Sequence, residues 1–543
     1  MTKLEALAKR CRQFKADFKN FDVRGRFALY AEVREFLRER ITVQQAKDEF
    51  RISLDQRAER FLTLARTRIY ERPGSPYLKL LEFAGCELSD LEALVRRHGI
   101  EPALMRLATE GVYLTSDEFK GKKEIVRGAR SFRVTPEDFE RRYAPGGFAI
   151  ESSGTRNRPL RSVIYLDWLR FRTFATGVFF AAHDLFSYSH AIYDAILPGG
   201  AVNHLLVNAK LGKATDRWFA RRVPEMTPLH ALAHHLTTYL IVLAGKRHGP
   251  GFPTPRFIEV EEMERIVRWI EQEKRKKKAC YITTIASSAA RIARAAWEMG
   301  VALDGTKFNV AGEPFTEAKE EAIRKVGASV TSRYSYGGGT SAGLGCANPR
   351  YRDEVHVNQN TLALIRHPAA LDVNGTAIHP LLCTTLYAEA PRMLLNVANG
   401  DYGTLEERNC GCELERAGLA LHLHHIRSFE KLTSEGMNYF YGELFELLEK
   451  LFPAEFGGGP GDYQLVEEED GNGQTRLTLV VHPEVGPIRE DALLARLREG
   501  LAEGPWGNKF TSEIWRDAGT VRVQRQVPYT SPRGKILPLH FSR

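Results

Sequence analysis

Glu151-Ser152-Ser153-Gly154-Thr155-Arg156-Asn157-Arg158-Pro159 concentrates three hydroxyls, a glycine and two arginines in nine residues. It follows Gly146-Gly147-Phe148-Ala149-Ile150, a turn-then-strand pattern. A glycine lets backbone N–H groups converge where a Cβ would intrude. Hydroxyls and successive N–H groups can then wrap a phosphate, and arginines neutralise it. The signature G-x-x-x-x-G-K-[ST] is absent, so this is not a Walker loop. Taken alone, the same cluster also describes an ordinary solvated turn. The rest of the chain decides between the two.

With 543 residues, 43% of them hydrophobic, the chain can bury several cores in a large body and at least one smaller domain. Lys and Arg outnumber Asp and Glu by 77 to 68, a formal charge of +9 that suits anionic substrates. The densest basic run, Lys274-Arg275-Lys276-Lys277-Lys278, ends a helical pattern holding Ile266, Trp269 and Ile270. Cations there complement a helix dipole. No interleaved aromatics make the run a nucleic-acid surface, so no nucleic-acid partner is expected. The start Met1-Thr2-Lys3-Leu4-Glu5 has no apolar h-region, and the apolar run Tyr239–Ala244 is too short to span a bilayer. Seven cysteines, several of them clustered, fit a reducing cytoplasm and a metal better than a disulfide framework.

Residues 1–72 are charged with a helical period, Phe27, Leu29, Val33, Phe36 and Leu37 falling on one face, and read as a helical N-terminal extension. Pro73-Gly74-Ser75-Pro76 then breaks the chain. Short helices follow over 77–145, with a stop at Gly99. Residues 150–330 alternate apolar runs with helices, as α/β domains do. Ala201–Val207 is predicted as a strand, Ser287–Glu298 as a helix, and Phe308–Gly312 as a strand entering a glycine loop. Toward the end, Tyr463–Val466, Arg476–His482 and Gly519–Val527 read as strands and Arg489–Leu501 as a helix, a small α+β unit.

Three further blocks stand in order behind the first loop. They are Asn399-Gly400-Asp401-Tyr402-Gly403, then Ile426-Arg427-Ser428-Phe429-Glu430-Lys431-Leu432, then Thr530-Ser531-Pro532-Arg533-Gly534-Lys535-Ile536. Together the four resemble the adenylate-forming superfamily of acyl-CoA ligases, in particular its phenylacetate–CoA ligase-like branch, over about residues 75–543. The resemblance implies an α/β protein: a large multi-layer domain over 73–429 and a small mobile α+β domain over 430–543 that carries Lys535. It implies an ATP site at Ser152, Ser153, Gly154, Thr155, Arg156 and Arg158, with Gly312 and Glu313 beside the adenine and Tyr336, Gly337 and Thr340 in the following motif. Asp401 would accept both ribose hydroxyls, since a carboxylate is acceptor-only. Arg427 would contact ribose or phosphate, and Lys535 would reach the substrate carboxylate and the α-phosphate as a compact charge.

Two departures from the family pattern matter. Arg158 stands where the family has a lysine. In Tyr334-Ser335-Tyr336-Gly337-Gly338-Gly339-Thr340-Ser341 the family's magnesium-binding glutamate is missing, and no acid occurs between Ala328 and Tyr351. Mg²⁺ commonly uses few carboxylates and keeps several waters, so phosphates and water can hold it. The branch also places cysteine, histidine and Cys-x-Cys where this chain has Cys346, His356, Cys410 and Cys412. That set suits structural Zn²⁺, although buried cysteines also serve as small hydrophobes. Cys11, Cys86, Cys280 and Cys383 show no ligand spacing.

The acid pocket is expected between the first loop and residue 340. Its candidates are Phe179, Phe180, His183, Tyr188, His234, His235, Tyr239 and Gly338, most of which read equally well as core. The expected activity is ATP-dependent activation of a carboxylic acid, aromatic among the options, with transfer to a thiol, by default coenzyme A. A carrier-protein thiol, an amine, or an inorganic oxyanion as the acid are same-class alternatives, and a nucleotide-binding scaffold is the different-class one. A homodimer is the expected assembly.

Overall fold

The computed structural model describes residues 23–141, 147–151, 161–221, 228–259, 262–312, 315, 317–336, 340–373, 376–428, 431–434, 437–440, 447–459, 461–469, 475–502, 521–529 and 539–541. Of the candidate site positions, Ser152 to Arg158, Glu313, Gly337, Gly338 and Lys535 lie outside these described residues.

Ahead of the main sheet, β1 (Gly147–Glu151) and β2 (Arg161–Tyr165) pair antiparallel. The main sheet has 12 strands. Its parallel half comprises β3 (Ser189–Tyr193), β4 (Arg217–Ala220), β5 (Arg256–Phe257), β6 (Cys280–Ile285), β7 (Thr306–Ala311) and β8 (Ser329–Tyr336). These lie in the order β8-β7-β6-β3-β4-β5, every pair parallel. The antiparallel half adds β9 (Thr340–Gly345), β10 (Val355–Val357), β11 (Leu362–Arg366), β12 (Pro380–Thr385), β13 (Val397–Glu407) and β14 (Leu421–Ser428), in the order β11-β12-β13-β14-β10-β9 and joined to β8 through β9. Ser-His-Ala-Ile-Tyr in β3 and Cys-Tyr-Ile-Thr-Thr-Ile in β6 are buried along almost their whole length. Parallel strands covered by helices on both faces read this way.

The N-terminal helices belong to the large body's cores. In α1 (Val23–Arg38), Leu29, Val33 and Leu37 recur every four residues and are buried in the main core, whereas Phe27 is left 62% exposed, off the face expected for it. Helix α2 (Val43–Asp55) starts on a capping box: Thr42 Oγ1 accepts from the Gln45 N–H at 3.1 Å and Gln45 Oε1 accepts from the Thr42 N–H at 2.9 Å. Its Ala46 and Phe50 pack on α3 (Leu166–Ala182). A Cβ at Gly177 of α3 would lie 2.6 Å from the Ala46 Cβ, so glycine permits the close crossing.

The remaining described layer helices include α4 (Ala201–Lys210), α5 (Pro228–His248), α6 (Glu264–Arg275) and α7 (Ala286–Glu298). Helix α4 corrects the strand expected at 201–207. Ala201, Val202, Leu205, Leu206 and Ala209 repeat with the α period, and α4 is buried nearly all round. A short apolar run of that kind does not separate buried helix from buried strand. The basic run ends α6 as expected, with Lys274 Nζ donating to the Ala302 carbonyl at 2.7 Å. Among the described residues no helix is long and apolar enough to cross a membrane.

The chain leaves the large sheet at Ser428. Further on, β15 (Tyr463–Glu469), β16 (Thr475–Val481), α8 (Glu490–Ala502), β17 (Val521–Arg525) and β18 (Leu539–Phe541) form a four-stranded sheet ordered β17-β16-β15-β18. Leu465, Leu479, Leu493 and Leu497 fill a separate core there. The molecule is therefore a large α/β body with a small α+β unit, the class expected from the sequence. The strand after Lys535, β18, adds to the expected β-β-α-β order.

Candidate functional site

The opening loop, residues 152–160, lies outside the described residues, but the strands on either side of it are paired. Glu151 pairs with Arg161 and Gly147 with Tyr165, so two paired strands bring the ends of 152–160 together. A Cβ at Gly147 would meet Val163 Cγ1 at 2.6 Å, which explains that glycine by packing.

Asp401 lies on β13, in the antiparallel half of the sheet, and is only 8% exposed. Tyr334, on β8, donates its hydroxyl to Asp401 Oδ2 at 2.9 Å, and Asn399 Nδ2 donates to the same oxygen at 3.1 Å. Burial, and then the Asp401 charge, push the Tyr334 phenol well up, so it stays a donor. Tyr336, two residues along β8, donates to the Val397 carbonyl at the start of β13. The Tyr-x-Tyr motif and the Asn-Gly-Asp motif thus form one braced unit. Thr340 pairs with Tyr336 across the β8–β9 turn. Gly312 follows β7 with φ +93, a left-handed conformation suited to glycine.

Arg427 is placed differently. On β14 it is paired with Tyr402, while Asp401 is paired with Ser428, so Arg427 and Asp401 are one register position apart. Its guanidinium lies 3.3 Å from Asp353 Oδ2 and donates to the Ile426 carbonyl at 2.7 Å. Asp353 also accepts the backbone N–H groups of His425 and Ile426. Arg427, His425, Tyr351 and Asp353 border an open polar cavity of about 300 Å³.

The four expected zinc donors converge. Cys346 follows β9, His356 is the centre of β10, and Cys410 and Cys412 flank Gly411 between β13 and β14. His356 Nε2 is 3.2 Å from Cys412 Sγ and 3.6 Å from Cys410 Sγ. On the other side of the ring, Nδ1 stands 2.7 Å from the Leu419 carbonyl. A Nδ1–H donated there leaves the Nε2 lone pair facing the sulfurs, the arrangement metal-bound histidines use. The Asn348 N–H points at Cys346 Sγ (3.3 Å) and the Cys412 N–H at Cys410 Sγ (3.4 Å). Cys346 shares its thiol hydrogen with Cys412, which holds Cys412 far down toward thiolate and Cys346 correspondingly up. Arg408, held by the fully buried Glu354, adds positive charge 3.7 Å from Cys346 Sγ. Three cysteine sulfurs plus one imidazole of fixed tautomer are a donor set that fits zinc.

The structure adds His422, which sequence reading missed. It is directly opposite His356 across the β10–β14 pair, with ring centroids 4.0 Å apart. Donor atoms of Cys346, His356, Cys410 and His422 lie within 4.8 Å of one another. Strand register, which is not visible in spacing, makes that pair.

His234, His235 and Tyr239 stand on α5, which packs on α1. The His235 ring stacks between Tyr239 and Phe257 at 6.4 and 6.2 Å, and Tyr239 is 41% exposed. Phe179 and Phe180 do border an internal cavity, whereas these three α5 residues are absent from its described lining. His183 Nε2–H donates to the Gly345 carbonyl (2.9 Å), and burial lowers it to about 4, so it is a neutral structural imidazole.

No family profile and no curated protein matches the chain. Solved structures do align with it. One is a 2-hydroxyisobutyryl-CoA ligase with 2-HIB-AMP and CoA: 13% identity, 93% of this chain and 92% of that one, TM-score 0.44. Another is the amide bond synthetase McbA from Marinactinospora thermotolerans: 12% identity, 71% and 96% covered, TM-score 0.32. A third is o-succinylbenzoate-CoA synthetase from Bacillus subtilis: 13% identity, 72% and 68% covered, TM-score 0.32. At these scores they stand as likenesses alone.

Proposed function

We propose that the chain is an adenylate-forming enzyme that activates a carboxylic acid with ATP, releases pyrophosphate, and passes the acyl group to a thiol, by default coenzyme A. The observation that carries this reading is the Asp401 carboxylate, buried and braced by Tyr334 from a strand motif 67 residues earlier. A carboxylate is acceptor-only, and two ribose hydroxyls are a fitting pair of further donors for it. Tyr334 and Asn399 fix its orientation, so little is lost when ribose docks.

The 152–158 loop, between the paired strands β1 and β2, would hold the β- and γ-phosphates through hydroxyls, N–H groups and Arg156 and Arg158. Lys535 would approach the acid carboxylate and α-phosphate, neutralising charge as oxygen attacks phosphorus. Magnesium, when bound, supplies charge neutralisation on the phosphates. Glu313, Gly337 and Thr340 would border the adenine and phosphate region. Motion of the 430–543 unit about the segment near Lys431 would withdraw Lys535 after adenylation and admit the acceptor. Zinc, when bound to Cys346, His356, Cys410 and Cys412, supplies a structural cross-link between β9, β10 and the β13–β14 connection. A carrier-protein thiol or an amine remains the alternative acceptor. Pyrophosphate release over a panel of acids, with and without coenzyme A, tests the reading.

A further inference from the structure

The internal cavity between the parallel strands and helices α3 and α4 has a volume of about 40 Å³, enough for a few waters or one small anionic group. Thr283 of β6, Asn309 of β7 and Arg333 of β8 reach it from the middle of three adjacent parallel strands. Arg172 of α3 and His204 of α4 close it from the helix side.

Its charge is one-sided. None of the described lining residues is acidic. Arg333 Nη1 lies 3.0 Å from His204 Nε2, so a cation is spent on an imidazole. Arg172 and Arg333 are half-buried, and burial first, then their mutual repulsion, lowers the Arg172 guanidinium to about 10. Asp194, the acid whose charge acts on Arg333 through space, is already paired with Arg221 at 3.1 Å. Arg172 Nη1, Arg333 Nε and Asn309 Oδ1 are buried without a hydrogen-bond partner. Leaving a buried nitrogen of each guanidinium unpartnered, with no anion in contact, is costly. A ligand anion removes that cost.

We propose that this cavity is a subsite for a second anionic group on the acid, so that the substrate carries a carboxylate to be activated and a further carboxylate, sulfonate or phosphate seated between Arg172 and Arg333. The inference rests on the adenylation reading for its substrate and on the cavity alone for its anion. Ser341, in the cavity wall, is the strand neighbour of Thr340, a position assigned to ATP. Arginine forks match such oxyanions bidentately.

The test measures calorimetric binding of succinate, sulfate and butyrate to the full chain, and to Arg172→Met and Arg333→Met. Succinate should bind the native protein at least about tenfold more tightly than butyrate, and each variant should lose about tenfold to a hundredfold of that affinity while ATP binding is unchanged. Arg333→Lys should recover part of it. Without ligand, Arg172→Met should melt no lower than the native protein, because an uncompensated cation has been removed. Succinate binding no better than butyrate, or unaffected by both variants, overturns the subsite, as does a variant that melts several degrees lower. Sulfate that binds without competing with succinate also overturns it, since the cavity then serves a free anion. If succinate tracks the arginines but no acid yields pyrophosphate, the adenylation reading falls and the subsite stands. Pyrophosphate release from monoacids, unaffected by the arginines, does the reverse.

Discussion

At the scale of single residues, Asp401 shows what the sequence reveals and what it hides. Its place in Asn-Gly-Asp-Tyr-Gly is a local signal, and so are Cys-x-Cys and the lone Lys535. Its donor Tyr334 is not, because the hydrogen bond depends on how β8 and β13 lie in one sheet. The same holds for His422, visible only through its register with His356, and for Arg172 and Arg333, whose meaning comes from a cavity. Asp401→Ala should weaken ATP binding about tenfold or more, the loss of charge-assisted hydrogen bonds, measured by calorimetry. Unchanged affinity would rule out the ribose role. Tyr334→Phe should cost roughly 1 kcal/mol of stability in denaturant unfolding and weaken ATP binding less than Asp401→Ala.

At the scale of elements, those with clean periods were legible: β7, α6 and α7, and the β-β-α-β run at the C-terminus. Helix α4 was not, because six apolar residues in ten satisfy both periods until flanking structure decides. Elements also show where charge stabilises the fold. Arg127 lies 2.8 Å from Glu118 Oε1 and donates to the Gly111 and Tyr113 carbonyls at 2.8 and 2.7 Å. Burial alone would raise the Glu118 carboxyl, but hydrogen bonds from Arg127 and Thr115 hold it below its ordinary value. Its stabilisation is therefore present above the unfolded value near 4.5 and is lost as pH falls through the folded one. Glu118→Gln should cost about 3 kcal/mol at pH 7, and that gap should shrink in urea unfolding near pH 3. The cysteine cluster joins elements in the same sense. Metal analysis should return about one zinc per chain, lost in Cys410→Ser with a fall in melting temperature. A stable, metal-free native protein would refute the site.

At the scale of the whole molecule, a 12-stranded sheet, half parallel and half antiparallel, supports the braced Asp401, the cysteine cluster and the cationic cavity. The four-stranded C-terminal unit follows it in the chain and carries the Lys535 segment. The two-unit class was legible because composition and period change near 430. The incorporation of residues 23–55 into the large body's cores was not, since a charged amphipathic helix reads the same whether it docks or stands apart. Acid adenylation is the activity proposed for the whole molecule, and pyrophosphate release with a panel of mono- and dianionic acids is its sharpest test. The native chain should release pyrophosphate with at least one acid and lose that release in Lys535→Ala while still binding ATP. Undiminished release in Lys535→Ala, or ATP binding with no release from any acid, would contradict it.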